Sequence, residues 1–254
     1  MEKITSRKNE KIKFACQLKA ADFRDSEGLL LAEGLRLCAD AAENGVEIEA
    51  CFLTEKMLEG KKCDNILAHS NHNYIIDEHI ADKLADTKHP QGIFCICKKP
   101  QEKEQVDLQG KYIYLESIQD PGNLGTALRT AEAFGLSGAM LCGCCDAFSP
   151  KALRAAMGAT FRLPLIADDN RQILQDCTGK GMNLYCAVVA GTAEDISIIR
   201  GKKGIIAAVG NEANGLSEEI LAVGTPVTIH MAGRAESLNA SQAATVVMYE
   251  MANG

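Results

Sequence analysis

Three short stretches concentrate the residues able to do chemistry. The first, E-S-I-Q-D-P-G-N-L-G-T-A-L-R-T-A, carries Asn123 and Arg129. The second, G-N-E-A-N-G-L-S-E-E, carries Gly210 and Glu212. The third, I-H-M-A-G-R-A-E-S-L-N, carries Ile229, Met231, Gly233, Ser237, Leu238 and Asn239. Each combines glycine with carboxamide or carboxylate groups, so backbone N–H and C=O groups can approach a flat, neutral moiety such as adenine. None is a phosphate cradle. G-N-L-G at 122–125 lacks the third glycine of a dinucleotide fingerprint, and the chain has no G-K-[ST] P-loop. Nicotinamide- and ATP-dependent chemistry is therefore disfavoured, as is serine hydrolysis, because there is no G-x-S-x-G elbow. His89, just before Pro90, reads as a solvated loop residue with no catalytic role, in a loop able to touch RNA.

The surrounding elements must position these stretches. Apolar runs predict strands at Tyr112–Leu115, Gly138–Cys142, Leu184–Val189, Gly204–Val209 and Val227–Ile229, with Arg162–Ile166 extended. Helices are predicted at Gly122–Phe134, Lys151–Met157, Asn170–Cys177, Ser217–Leu221 and from Ala240 onward. Such alternation implies an α/β fold built on a mostly parallel sheet, in which ligands sit beyond the carboxyl ends of strands. The three stretches occupy such places. Asn239, with Gln242 three residues on, reads as a helix N-cap and its reciprocal partner. The helix that follows is apolar nearly all round, which predicts burial on more than one side and a possible intersubunit role.

Residues 1–98 predict a separate small α/β domain: a basic N-terminal helix, a helix at Gly34–Asn44, and strands at Ile48–Leu53, Asn73–Ile76 and Ile93–Cys97. Short helices are expected at Thr54–Leu58 and Glu78–Ala85. The polar stretch 99–110 reads as a linker, and 111–254 as the second domain. The net charge of −7 argues against indiscriminate nucleic-acid binding. Residues 1–24, however, carry seven Lys/Arg against three acids, a local +4 suited either to a solvated helix face or to RNA.

No apolar run reaches membrane-spanning length and the N-terminus is charged, so a cytoplasmic protein is expected. The eleven cysteines then read as reduced thiols. Cys95 and Cys97, with Cys142 and Cys145, could supply four zinc ligands, but their spacing is wrong for a zinc knuckle. They are read as small apolar side chains, and no metal is expected.

D-P-G-N-L-G-T-A-L-R-T-A-E-A-F-G, V-G-N-E-A-N-G-L-S and I-H-M-A-G-R-A-E-S-L-N-A-S-Q-A-A, in that order, resemble the three signature motifs of the SpoU (TrmH-type) RNA methyltransferases of the SPOUT superfamily. S-P-K-A-L-R-A-A-M-G-A-T-F-R-L-P-L at 149–165 matches the same family between motifs. I-T-S-R-K-N and E-G-L-L-L-A-E-G-L-R-L resemble the RNA substrate-binding domain often fused in front. The resemblance implies a C-terminal α/β domain with a deep trefoil knot, a rare exception to the rules of chain connection. It also implies S-adenosyl-L-methionine as cofactor, a homodimer formed through the C-terminal domain, and methylation of a ribose 2′-hydroxyl. Ribosomal RNA is the expected substrate. Transfer RNA and a non-catalytic RNA-binding scaffold of the same fold are the alternatives.

By the same resemblance Arg129 is the catalytic arginine. It stays protonated and is a poor base, so it is expected to clamp an RNA phosphate. The ordinary alternative is a helix-surface ion pair with Glu132. Asn123 is expected to orient the hydroxyl or the RNA backbone, or simply to cap its helix. Glu212 is expected to orient Arg129 or the substrate. Ser237 and Asn239 are expected to face the transferred methyl group and the RNA. Gly210, Ile229, Met231, Gly233 and Leu238 are expected to bind the cofactor, largely through backbone atoms. The chain departs from the family at His230, where proline is usual, which puts the stiffness of that loop in question.

Overall fold

The structure is a computed structural model that describes residues 1–60, 62–101, 105–211 and 213–253. The chain divides into two compact units, Met1–Gln101 with Phe148–Arg162, and Glu102–Ala147 with Leu163–Gly254.

The first unit runs β1 (Glu2–Ile4), α1 (Glu10–Gln17), α2 (Ala21–Glu27), β2 (Leu29–Glu33), α3 (Leu35–Glu43), β3 (Ile48–Thr54), α4 (Glu55–Glu59), α5 (Asp64–His69), β4 (Ser70–Ile76), α6 (Glu78–Leu84) and β5 (Ile93–Lys98). Its five strands lie in the order β1-β4-β3-β5-β2, with β4 parallel to β1 and β3, and β5 antiparallel to β3 and β2. One face packs Ile12, Ala15 and Leu18 of α1 and Ile80, Ala81 and Leu84 of α6 against Phe52, Phe94 and Ile96. The expected basic helix is thus amphipathic and half-buried.

In the second part of the chain come β6 (Lys111–Glu116), α7 (Pro121–Ala133), β7 (Gly138–Cys142), α8 (Pro150–Ala156), β8 (Leu165–Ala167), α9 (Gln172–Gly179), β9 (Asn183–Ala187), β10 (Glu194–Asp195), β11 (Ile205–Val209), α10 (Glu218–Leu221), β12 (Thr225–Thr228) and α11 (Ala240–Ala252). Here α8 belongs to the first unit, where a single cut near residue 110 would have assigned it to the second. It buries Ala152, Leu153 and Ala156, and Arg154 pairs with Asp86 at 2.5 Å and Glu33 at 3.5 Å.

The seven strands of the second unit are all parallel, in the order β10-β12-β9-β11-β6-β7-β8. Every residue of β11 is buried, as a central parallel strand covered on both faces requires. From β6 the chain passes to β7 and β8, then returns to build β9, β11 and β12 on the other side. The switch point therefore lies between β6 and β11, where ligand-binding crevices form in such sheets. Helix α11 packs on α7 and β11. Val247, Met248 and Met251 of α11 are fully buried, each contributing about 1.5–3 kcal/mol. Tyr249 on the same helix is 53% exposed, so burial does not extend all round it. Among the described residues no helix is long and apolar enough to cross a membrane.

Candidate functional site

The D-P-G turn starts α7. Asp120 is its N-cap, accepting from the Asn123 backbone N–H at 2.9 Å, with Pro121 in the first turn. The cap is therefore Asp120, not Asn123. That leaves the Asn123 carboxamide for a tertiary contact, and its Oδ1 accepts from Asn239 Nδ2 at 3.1 Å across 116 residues of chain. Asn239 in turn caps α11. Its Oδ1 accepts from Ser241 N at 2.9 Å and Ser241 Oγ at 2.7 Å. The cap donor is Ser241, and Gln242 is exposed. Ser241 Oγ also lies 3.4 Å from Asn123 Oδ1, but its single proton is directed at the closer oxygen of Asn239. The N-termini of two 13-residue helices are thereby tied together, and their unsatisfied N–H groups favour negative charge nearby.

A cleft opens beside this pair. Ala187, Val188 and Val189 line it from the end of β9, Val209 from the end of β11, Ile229 and Met231 from the loop after β12, and Ser237, Leu238 and Ala243 from the start of α11. Four of the expected residues, Ile229, Met231, Ser237 and Leu238, thus meet in one place. The β9 contribution obeys the same strand-end rule as the three motif loops, yet its residues carry no polar signature that would single them out. Gly233 is exposed and is not among the residues lining the cleft.

The loop after β11 is folded on itself. A Cβ on Gly210 would lie 2.1 Å from the Gly215 carbonyl carbon and oxygen and 2.5 Å from Leu216 N, so only glycine fits. Asn211 Oδ1 accepts from Ala213 N at 2.9 Å and Asn214 N at 2.8 Å, while Gly215 N donates to the Asn211 carbonyl. Glu212 lies outside the described residues. Arg129 is exposed on α7.

The first stretch also holds a buried acid that is not among the expected site residues. Glu116, at the carboxyl end of β6, is 3% exposed. It accepts from Ser217 N at 2.7 Å and Ser217 Oγ at 2.8 Å, and pairs with Arg171 Nη2 at 2.8 Å. Hydrogen bonding to Glu116 pushes the Arg171 guanidinium further above its ordinary range. An acid ending an apolar strand run was the signal that could have found it.

The cysteines are side chains of the packing. Burial pushes the Cys144 and Cys186 thiols up to about 12 and Cys63 up to about 11. Cys95 is raised first by its hydrogen bonds to Cys38 and Cys51. Among the described residues no group of three or more His, Cys, Asp or Glu side chains is placed to hold a metal.

An all-parallel sheet and an apolar cleft beyond its strand ends, beside a carboxamide pair, define an α/β enzyme that takes a largely neutral ligand. Residues 110–249 match the SpoU rRNA Methylase family and residues 9–95 the MRM3-like substrate binding domain. The chain belongs to the SpoU rRNA methylase family and is an RNA methyltransferase. It is 29% identical, over 99% of both chains, to the 23S rRNA (guanosine(2553)-2′-O)-methyltransferase RlmP of Bacillus subtilis. It is 33% identical, over 97% of its length and 92% of the relative's, to an uncharacterized tRNA/rRNA methyltransferase of Synechocystis. Among solved structures, an RNA 2′-O ribose methyltransferase superposes with a TM-score of 0.84 at 27% identity, covering 98% of this chain and 97% of that one. An AdoMet-bound rRNA methyltransferase from Sinorhizobium meliloti gives 0.82 at 28% identity, covering 98% and 97%.

Proposed function

We propose that this chain transfers a methyl group from S-adenosyl-L-methionine to a ribose 2′-hydroxyl of ribosomal RNA. The observation that carries the reading is the adjacency of the cleft to the Asn123–Asn239 pair: Ser237 and Leu238 line the cleft, and Asn239 follows them directly. The cleft fits the cofactor in its chemistry. Its walls are apolar enough for an adenine, and among the described residues it presents no charged side chain. When bound, the cofactor supplies an electrophilic sulfonium methyl.

The protein's task is to orient a weak nucleophile and accept its proton. Asn123 and Asn239 hold the hydroxyl or the adjoining backbone, with Ser237 at the mouth of the cleft. Arg129, exposed and permanently charged, clamps an RNA phosphate. Glu212 and Gly233 keep their proposed roles as orienting carboxylate and backbone contact. The 2′-hydroxyl distinguishes RNA from DNA. The 23S rRNA methyltransferase of Bacillus subtilis, similar over its full length, favours ribosomal over transfer RNA. The first unit is proposed to select the RNA, consistent with its match to a substrate-binding domain. A trefoil knot in the second unit, a homodimer and a cytoplasmic location complete the proposal. Exposed Tyr249, edge-on to Phe134 at 6.1 Å, is consistent with a subunit contact on that face.

The test is methyl transfer to total RNA from a strain lacking the gene, followed by mapping of alkali-resistant linkages. A single new resistant linkage in ribosomal RNA is expected. One in transfer RNA would transfer the reading to that substrate. Calorimetric binding of NAD but not of S-adenosyl-L-methionine would overturn it.

A further inference from the structure

Glu116 stands at the end of β6 without a part in the chemistry above. A buried carboxylate is costly unless it is paired and hydrogen-bonded, and this one is both. Its partners lie far away in sequence: Arg171 is 55 residues on and Ser217 is 101 residues on. The bonds to Ser217 are doubled, through backbone N and Oγ, so they fix both the position and the orientation of that residue.

Ser217 ends the loop that begins at Gly210. Within the loop, Gly215 and the Leu216 nitrogen lie against Gly210, with no room for even a methyl group between them. Asn211 closes the loop upon itself through its side chain and its carbonyl. These contacts join the two ends of the loop, which meets the sheet at two places. One is Val209, which lines the cleft at the end of β11. The other is Ser217, held by Glu116 at the end of the neighbouring strand, β6. Arg171 balances the charge, donating from Nε at 3.3 Å and Nη2 at 2.8 Å to Oε1, the oxygen that also accepts from Ser217 Oγ. It does so from a left-handed backbone conformation with φ of 59°, which side chains rarely adopt.

We infer that Glu116 is a positioning residue for the cofactor cleft: through Ser217 it holds Gly215 and Leu216 against Gly210, the residue that follows Val209 of the cleft lining, with Arg171 as its counter-charge. The inference rests on the reading of that cleft as the S-adenosyl-L-methionine site.

The test compares wild type with Ser217→Ala, Ser217→Thr and Glu116→Gln, measuring cofactor affinity by calorimetry, kcat and cofactor KM at saturating RNA, and the thermal midpoint. Losing the hydroxyl bond to a charged acceptor is expected to weaken cofactor binding about tenfold in Ser217→Ala, with kcat within about twofold. Ser217→Thr, which keeps the hydroxyl, should restore affinity. Glu116→Gln should weaken binding at least as much as Ser217→Ala. If it does not fold, the serine pair carries the test. Wild-type affinity in both Ser217→Ala and Glu116→Gln, with only a lowered midpoint, would reduce Glu116 to a fold-stabilising residue and overturn the inference. A wild-type chain that binds no S-adenosyl-L-methionine would overturn the underlying reading instead.

Discussion

At the scale of single residues, the site combines an exposed cation with a carefully restrained carboxamide pair. Arg129 is exposed on α7, as the proposed clamp on an RNA phosphate requires. Arg129→Ala should lower methyl transfer by about a hundredfold or more, the usual loss for a preorganised electrostatic contact, while cofactor affinity stays within about twofold. Full activity in that variant, measured by single turnover, would remove Arg129 from the mechanism. Ser241 acts on Asn239 rather than on substrate. Ser241→Ala removes a buried hydrogen bond worth about 1 kcal/mol, an expected drop of about 2–4 °C in the midpoint. It should also lower kcat several-fold, because Asn239 loses one of the bonds that aim it at Asn123. An unchanged kcat with a lowered midpoint would confine Ser241 to capping.

At the scale of elements, the deciding feature is how helix caps and strand-end loops share atoms. Asn239 serves two helices at once: it caps α11 through Oδ1 and reaches α7 through Nδ2. The loop after β11 has the opposite character, since glycine is needed there for close approach of backbone to backbone. Gly210→Ala puts a carbon 2.1 Å from the Gly215 backbone, which must move as a whole. The expected result is a destabilisation of about 1–3 kcal/mol together with loss of measurable cofactor binding. Retained affinity by calorimetry would show that the loop is not part of the cofactor site. The chain's His230 follows β12 and is exposed, so the replacement of the family's usual proline removes a backbone restraint without introducing a buried group.

At the scale of the whole molecule, the two units are not two consecutive pieces of chain. Residues 148–162 fold with the N-terminal unit, where Arg154 meets Glu33 and Asp86 and where Ala152, Leu153 and Ala156 are buried. A fragment beginning at residue 102 keeps that segment but loses the surface it packs on. Such a fragment should bind S-adenosyl-L-methionine yet show a lower thermal midpoint and stronger binding of a hydrophobic dye than the intact chain. A fragment as stable as the intact protein, with no added dye binding, would show that 148–162 needs no partner from the first unit. Loss of RNA discrimination in the same fragment would support the proposed division of labour between the units.

Much was legible in the sequence alone, because it is written in local physics. The periodicity of apolar residues located nearly every strand and helix of the second unit to within a few residues, and glycine marked the ends of α7 and α8. Parallel alternation implied the sheet type, and the strand-end rule selected the loop after β12, which lines the cleft, and the stretch after β6, tied to it by the Asn123–Asn239 bond. In the first unit the sequence does not reveal β1, α2, β2 or α5: Leu29–Glu33, for example, is a short apolar run flanked by glycines, with a pattern that fits helix and strand equally. Capping was also misjudged at α7, since Asp120 and Asn123 are both good cap residues and only backbone geometry separates them. What no local pattern could decide was which distant groups meet. The Asn123–Asn239 bond, the Glu116–Ser217 anchor, the β9 wall of the cleft and the capture of α8 by the first unit all depend on the order in which strands pair. That order is settled by burying a whole sheet at once, a long-range competition among packings that single-residue preferences and spacing do not encode.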